Sequence, residues 1–205
     1  MCFTIRKGNV SVAVENQRIS ALAELAVPAI PAVPGRGIVL WQRHPLAMLN
    51  LRGPGDRAFR DGVRQVCGCE LPSSPNSSNV CEEGEILTLG PNEWLLVADP
   101  DTRWSENMKI ACATLTDVSH ARVVVHVEGE KAREMLAKGC PVDLHAQRFP
   151  GGTCIQTSIA KIGVIIHKLH NENDIAIYAA RSYAGSLWHW LTASAAEYGY
   201  HVVAR

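Results

Sequence analysis

One pattern occurs twice in this chain and narrows its fold more than any other feature. "LNLRGPGDRAFRDGVRQVCGCEL" (49–71) and "VHVEGEKAREMLAKGCPVDL" (125–144) each begin as an alternating strand. Each then passes a glycine (Gly53, Gly129), forms an amphipathic helix, and reaches Gly-Cys (Gly68-Cys69, Gly139-Cys140) and an apolar residue. In both places a strand, a polar turn, another strand and a helix follow. A βαββα unit used twice predicts an α+β fold of two pseudo-symmetric units, with antiparallel strands and helices packed on them. The chain divides into an N-terminal strand and proline-rich strap (1–36), a first half (37–116) and a second half (117–205), the halves forming one compact unit.

Local signals place the elements. Pro28, Pro31 and Pro34 suit an extended strap and forbid a helix. Strands are expected at Ile38–Gln42 and Ala47–Leu51 around a turn at His44-Pro45. In the first helix Asp56 is the N-cap, Ala58, Phe59, Val63, Val66 and Cys67 form the apolar face, and Gly68 is the stop. Residues 72–84, rich in Ser, Pro and Asn, read as a loop. "EILTLGPNEWLLVAD" reads as a hairpin turning at Gly90-Pro91-Asn92-Glu93, and Thr102–Thr114 as a helix. "SIAKIGVIIHKL" and "DIAIYAA" are expected to be strands flanking "HNEN". The chain is expected to end in a helix capped by Ser182 and stopped by Gly199.

Charge excludes some functions. Twenty basic residues balance twenty acidic ones, without the basic excess that holds nucleic-acid phosphates. Zero net charge also favours life inside a larger assembly. No stretch reads as a signal peptide or a membrane span. The seven scattered cysteines then read as reduced thiols of a cytoplasmic protein.

Candidate chemistry is sparse. Cys67 and Cys69 have one residue between them, no second pair, and a helix C-terminus in place of the N-terminus that would activate a thiol, so they read as buried structural cysteines. Asp117, Ser119 and His120 read as a turn entering a strand, and His126 as a strand residue. "LRGPGDR" matches neither nucleotide fingerprint. These residues supply no catalytic, cofactor-binding or metal site.

"RSYAGSLWHWLTASAAEYG" (181–199) stands apart. On a helix Trp188, Leu191, Ala195 and Tyr198 share a stripe, with Leu187, Trp190 and Ser194 beside it. Packing on the sheet accounts for the stripe. Two tryptophans and a tyrosine widen it, making Trp188, Trp190 and Tyr198 a candidate partner interface.

Together with "LGPNEWLLV", "DVSHARVVVHVEGEKAREMLAKGCPVDL" and "GTCIQTSIAKIGVIIHKL", this stretch resembles the gamma subunits of heterotetrameric sarcosine oxidases, in order and spacing from about Leu49 to the end. The resemblance implies a fold like the folate-binding part of the glycine-cleavage T-protein. It implies alpha, beta and delta partners, chiefly alpha, in an assembly that oxidatively demethylates sarcosine to glycine, makes hydrogen peroxide and passes a one-carbon unit to tetrahydrofolate. FAD, FMN, NAD, zinc and tetrahydrofolate would then sit on the other subunits. No catalytic residue carries over; Asp117 is the acidic residue nearest a strand entrance. The alternatives are a stand-alone folate-binding or aminomethyltransferase-like protein, and a thiol redox or metal protein using Cys67 and Cys69.

Overall fold

Residues 19–25, 37–44, 46–107, 109–170 and 173–203, described in a computed structural model, build two sheets from eleven strands. The first unit runs β2 (Ala47–Arg52), α1 (Arg57–Cys67), β3 (Ser78–Val80), β4 (Gly84–Gly90), β5 (Glu93–Ala98) and α2 (Trp104–Asn107). The second runs β7 (Arg122–Glu128), α3 (Ala132–Ala137), β8 (Cys154–Ile159), β9 (Ile162–Lys168), β10 (Asp174–Ala180) and α4 (Ala184–Ala195). Their strands lie in the matching orders β3-β4-β5-β2 and β8-β9-β10-β7, so the repeat is real in space. Each unit has one strand more than the sequence pattern shows.

The halves are also interlocked. β1 (Ile38–Gln42) precedes the first unit but pairs with β7 of the second. β6 (Thr114–Asp117) leads into the second unit but pairs with β2 of the first, across the 116/117 boundary drawn from sequence. β11 (Tyr200–Val203) completes the larger sheet, parallel to β1.

Strand alternation sorts the core into layers. On the outer face of the smaller sheet, Leu51, Ile86 and Leu96 meet Phe59 and Val63 of α1 and Trp104 of α2. On the outer face of the larger sheet, Val125, Ile166 and Ile177 meet Met135 and Leu136 of α3 and Leu187 and Leu191 of α4. The inner faces meet through Met48, Leu95 and Val97 on one side and Val124, Ile165 and Tyr178 on the other. The order of layers is helices, sheet, sheet, helices.

The first helix forms as its sequence dictates. Asp56 accepts from the Phe59 N–H at 2.9 Å, and Gly68, at φ 73°, turns its N–H back to Arg64. Phe59, Val63 and Cys67 are buried, while Ala58 is exposed.

Several expectations fail for identifiable reasons. The 102–114 helix shrinks to α2, four residues long, because Cys112 takes a left-handed φ of 61° and Thr114 already begins β6. The 72–84 loop contains β3, which pairs with β4. "SIAKIGVIIHKL" is not one strand, since β8 and β9 turn at Ala160-Lys161, both with positive φ. Ser182 caps nothing: β10 runs directly into a 3₁₀ turn at Arg181–Tyr183, and Tyr183 precedes α4. Gly199 stops the helical stretch at φ 72° as expected, but the chain continues as β11. The cysteines are not all reduced, because the return of the chain after β3 brings Cys81 to Cys69 and the two form a disulfide. Cys67, Cys140 and Cys154 are buried free thiols, and Cys112 is an exposed one. The N-terminal strand, the prolines of the strap, Pro45, and positions 171 and 172 of "HNEN" lie outside the described residues.

Candidate functional site

Buried polar side chains gather where the two sheets face each other. A register row across the larger sheet places Trp41, His126, Ala176, His167 and Cys154 side by side on β1, β7, β10, β9 and β8. Alternation turns them to the inner face, where His126 and His167 are buried.

At one end the His126 ring stacks on Trp41, with centroids 3.9 Å apart and planes 20° from parallel. His126 Nδ1 faces both carboxylate oxygens of Asp174, at 2.9 and 3.1 Å. Glu128 and Asp174 are directly opposed across β7 and β10, an arrangement that like charges disfavour. Each is met by a ring nitrogen: Trp41 Nε1 donates to Glu128 at 2.6 Å, and His126 serves Asp174.

At the other end the contacts cross between sheets. Tyr178 donates to Glu85 at 2.9 Å, and Arg43 lies 3.5 Å from the same carboxylate. His167 Nε2 is 2.8 Å from the Ser78 hydroxyl, and its Nδ1 is 3.4 Å from Glu85 without the alignment of a hydrogen bond. Burial pushes the His167 pKa down, and burial together with Glu85 drives the Tyr178 phenol well above its usual 10. The Cys154 thiol is pushed up to about 11, mainly by burial, and contacts the carbonyls of Ser77 and Thr88. A short antiparallel bridge, Ser77 to Thr153, completes the seam between the sheets.

Ser78, His167 and Glu85 therefore have the atom order of a hydrolytic triad. The chemistry does not follow from the order alone. Ser78 is 7% exposed, its hydroxyl is also 3.0 Å from the Gly152 carbonyl, and the base–carboxylate contact is misaligned. A nucleophile must meet substrate, and this hydroxyl is enclosed between backbone and ring. A cavity of about 380 Å³ lies alongside, lined by Arg43, Glu85, Asp99, His167 and His170, but Ser78 is not part of its lining. The cluster fastens the two sheets together. Sequence reasoning missed it because its members come from five strands, and no local spacing relates Ser78 to His167.

The residues considered from sequence lie elsewhere. Asp117 accepts from the Ser119 N–H at 2.8 Å, the turn that spacing implies. Ser119 Oγ accepts from the Met48 N–H at 2.9 Å. His120 is exposed in that turn and does not join His126. Cys69 is bonded to Cys81, so Cys67 and Cys69 do not form a dithiol; burial, with Glu83 nearby, pushes the Cys67 thiol up to about 12. Among the described residues no group of three or more His, Cys, Asp or Glu side chains has a metal-holding arrangement.

On α4, Trp188 is 4% exposed and belongs to the core. Trp190 and Tyr198 are half-buried against that core. Gly139 makes room for Trp190: a Cβ there would sit 2.4 Å from the indole. The Lys138 ammonium lies 4.6 Å from the Tyr198 ring centre and pairs with Glu197 at 2.7 Å. The three aromatics thus divide into one interior anchor and two with remaining surface. Among the described residues no helix is long and apolar enough to cross a membrane.

A family model described as "Sarcosine oxidase, gamma subunit family" matches residues 52–197. The chain belongs to this family. A "Sarcosine oxidase subunit gamma" from Corynebacterium sp. (strain U-96) is 32% identical over 178 residues, covering 84% of this chain and 86% of the relative. Another protein of that name, from Arthrobacter sp, is 28% identical over 172 residues, covering 82% and 84%. In three dimensions the chain matches one in a heterotetrameric sarcosine oxidase from Corynebacterium sp. U-96, solved in complex with pyrrole 2-carboxylate. That match has a TM-score of 0.81 at 26% identity and covers 88% of this chain and 96% of the other. An aminomethyltransferase T of the glycine cleavage system from Bartonella henselae matches with a TM-score of 0.60 at 12% identity, covering 76% of this chain and 45% of that one. The likeness to the T-protein is one of fold, and it bears out the fold that the family resemblance implies.

Proposed function

We propose that this chain is the non-catalytic gamma subunit of a heterotetrameric sarcosine oxidase and supports the alpha subunit of that assembly. The assembly oxidatively demethylates sarcosine to glycine, forms hydrogen peroxide and transfers the one-carbon unit to tetrahydrofolate. The observation that carries this reading is the match along nearly the whole length of a chain from such a heterotetramer, at a TM-score of 0.81. A non-catalytic role is supported by the polar cluster itself, whose hydroxyl and thiol are turned into sheet-to-sheet contacts. FAD, FMN, NAD, zinc and tetrahydrofolate are assigned to the alpha, beta and delta subunits. The half-buried Trp190 on α4 and Tyr198 in the 3₁₀ turn that follows it mark the surface that we assign to a partner, with Trp188 supporting it from inside.

Co-expression of the tagged chain with the other subunits, followed by native mass spectrometry, tests the reading. The expected result is one assembly containing this 22.3 kDa chain and a flavin-bearing chain, joined by an obligate interface above roughly 2,000 Å². A chain that remains alone and binds tetrahydrofolate would replace the subunit reading with the stand-alone one.

A further inference from the structure

A second cavity, of about 380 Å³, lies on the smaller sheet, with Thr88 at its border with the polar seam. It opens between the 72–76 segment and the turn of the β4–β5 hairpin, beside the start of α1. Pro72, Leu89, Pro91 and Trp94 supply its apolar lining, beside two asparagines and the exposed Ser73 and Ser74. The volume is within the usual range for small-molecule pockets.

Among the described residues that line it, Arg60 alone is charged. The three arginines of α1 differ in a telling way. Arg57 pairs with Asp61 at 3.8 Å and Arg64 with Glu70 at 2.8 Å. Arg60 is half-buried and has no carboxylate within ion-pair distance among the described residues. Its contacts are backbone carbonyls, Gly55 O at 2.9 Å and Leu71 O at 3.4 Å. These fix the guanidinium at the cavity without neutralising it. A partly desolvated cation held without a counter-ion attracts an anion more strongly than a solvated one. Two wall residues are also short of partners: Trp94 Nε1 and Thr88 Oγ1 are buried and satisfied by no described residue.

We infer that this pocket binds a small organic carboxylate with a flat apolar body, the carboxylate on Arg60 and the body against Trp94 and the prolines. A fork-shaped guanidinium favours a planar carboxylate, and the proline and indole walls favour a ring over a second charge. The inference is independent of the subunit reading and adds a ligand to a chain otherwise given none.

Titration of 4-fluorobenzoate into the purified assembly, followed by 19F NMR, tests it, with neutral 4-fluorobenzamide as the charge control. Saturable benzoate binding is expected, with the benzamide at least about tenfold weaker. Arg60→Gln removes the cation, and Ser74→Asp places a like charge at an exposed rim position that folding tolerates. Each is expected to weaken a benzoate-binding component at least about fivefold, and their difference from wild type separates this pocket from carboxylate sites on other subunits. No saturable binding, equal binding of the amide, or a titration unchanged in both variants would overturn the inference.

Discussion

The hydroxyl of Tyr178 donates to Glu85 at 2.9 Å, joining β10 of the larger sheet to β4 of the smaller. Tyr178 is fully buried, so Tyr178→Phe leaves the carboxylate without that donor while keeping the ring's packing. Arg43, at 3.5 Å, offsets part of the loss. The expected cost is about 1.5–3 kcal/mol, or roughly 2–4 °C of melting temperature per kcal/mol for a chain of this size. Thermal unfolding of the variant measures it, and an unchanged midpoint would remove this bond from the account of the seam.

Acid should loosen the same seam through His167. Burial lowers its pKa from the usual 6.5, with Glu85 pulling partly the other way. Between the native value and 6.5 the unfolded chain binds more protons than the folded one, so stability rises with pH in that window. The contribution is complete above 6.5 and lost as pH falls toward the native value. Melting temperatures compared at about pH 7.5 and 5.5 should fall more steeply for the native protein than for His167→Gln. Parallel slopes would show that another group governs the acid limb.

The Cys69–Cys81 disulfide closes a separation of 12 residues and fastens the segment carrying β3. Replacing both cysteines by serine should cost about 2–4 kcal/mol, through the freedom returned to the unfolded chain. Thiol alkylation before and after reduction should reveal two additional reactive cysteines. Equal counts in both states would contradict the bond.

One substitution should stabilise. Lys161 is exposed and takes φ 69° in the two-residue turn between β8 and β9, a conformation that costs a side-chain-bearing residue about 1–2 kcal/mol. Lys161→Gly removes that cost and adds backbone freedom to the unfolded state, for a net gain of about 0.5–1 kcal/mol. A raised melting temperature is expected, and a lowered one would mean that the lysine stem contributes packing the turn geometry does not reveal.

The same turn shows why part of the fold was not legible in sequence. Ala160-Lys161 has neither glycine nor asparagine, so its chemistry gives no turn signal, and the hairpin is set by Ile159 and Ile162 pairing across it. Two sets of chemical signals held: Asp56 and Gly68 bound α1, and Gly90-Pro91-Asn92 turns the β4–β5 hairpin, whereas Ser182 caps no helix. Where tertiary contact decides, they did not. Thr102–Thr114 has a helical composition, but the backbone reverses at Cys112 to feed β6. β3 is three residues long and exists because β4 offers it an edge. The polar seam was equally hidden: His126 reads in sequence only as a strand residue, and the register of β10 between β7 and β9 is what places it and His167 on either side of Ala176.

The exchanged lead-in strands have a consequence for the order of events during synthesis. The register that closes the larger sheet joins Ile38 to Tyr200, near opposite ends of the described chain. β1 is made well before either of its strand neighbours, β7 and β11. The smaller sheet can form once β6 has emerged, because all five of its strands precede Val118, but β1 must then wait for β7 and β11 of the larger sheet. Such distant pairings slow folding and leave unpaired edges exposed in the interval. A chain stopped just after α4 would lack the four residues of β11 and leave β1 as an open edge. β1 therefore gains its second neighbour only when β11 has been made.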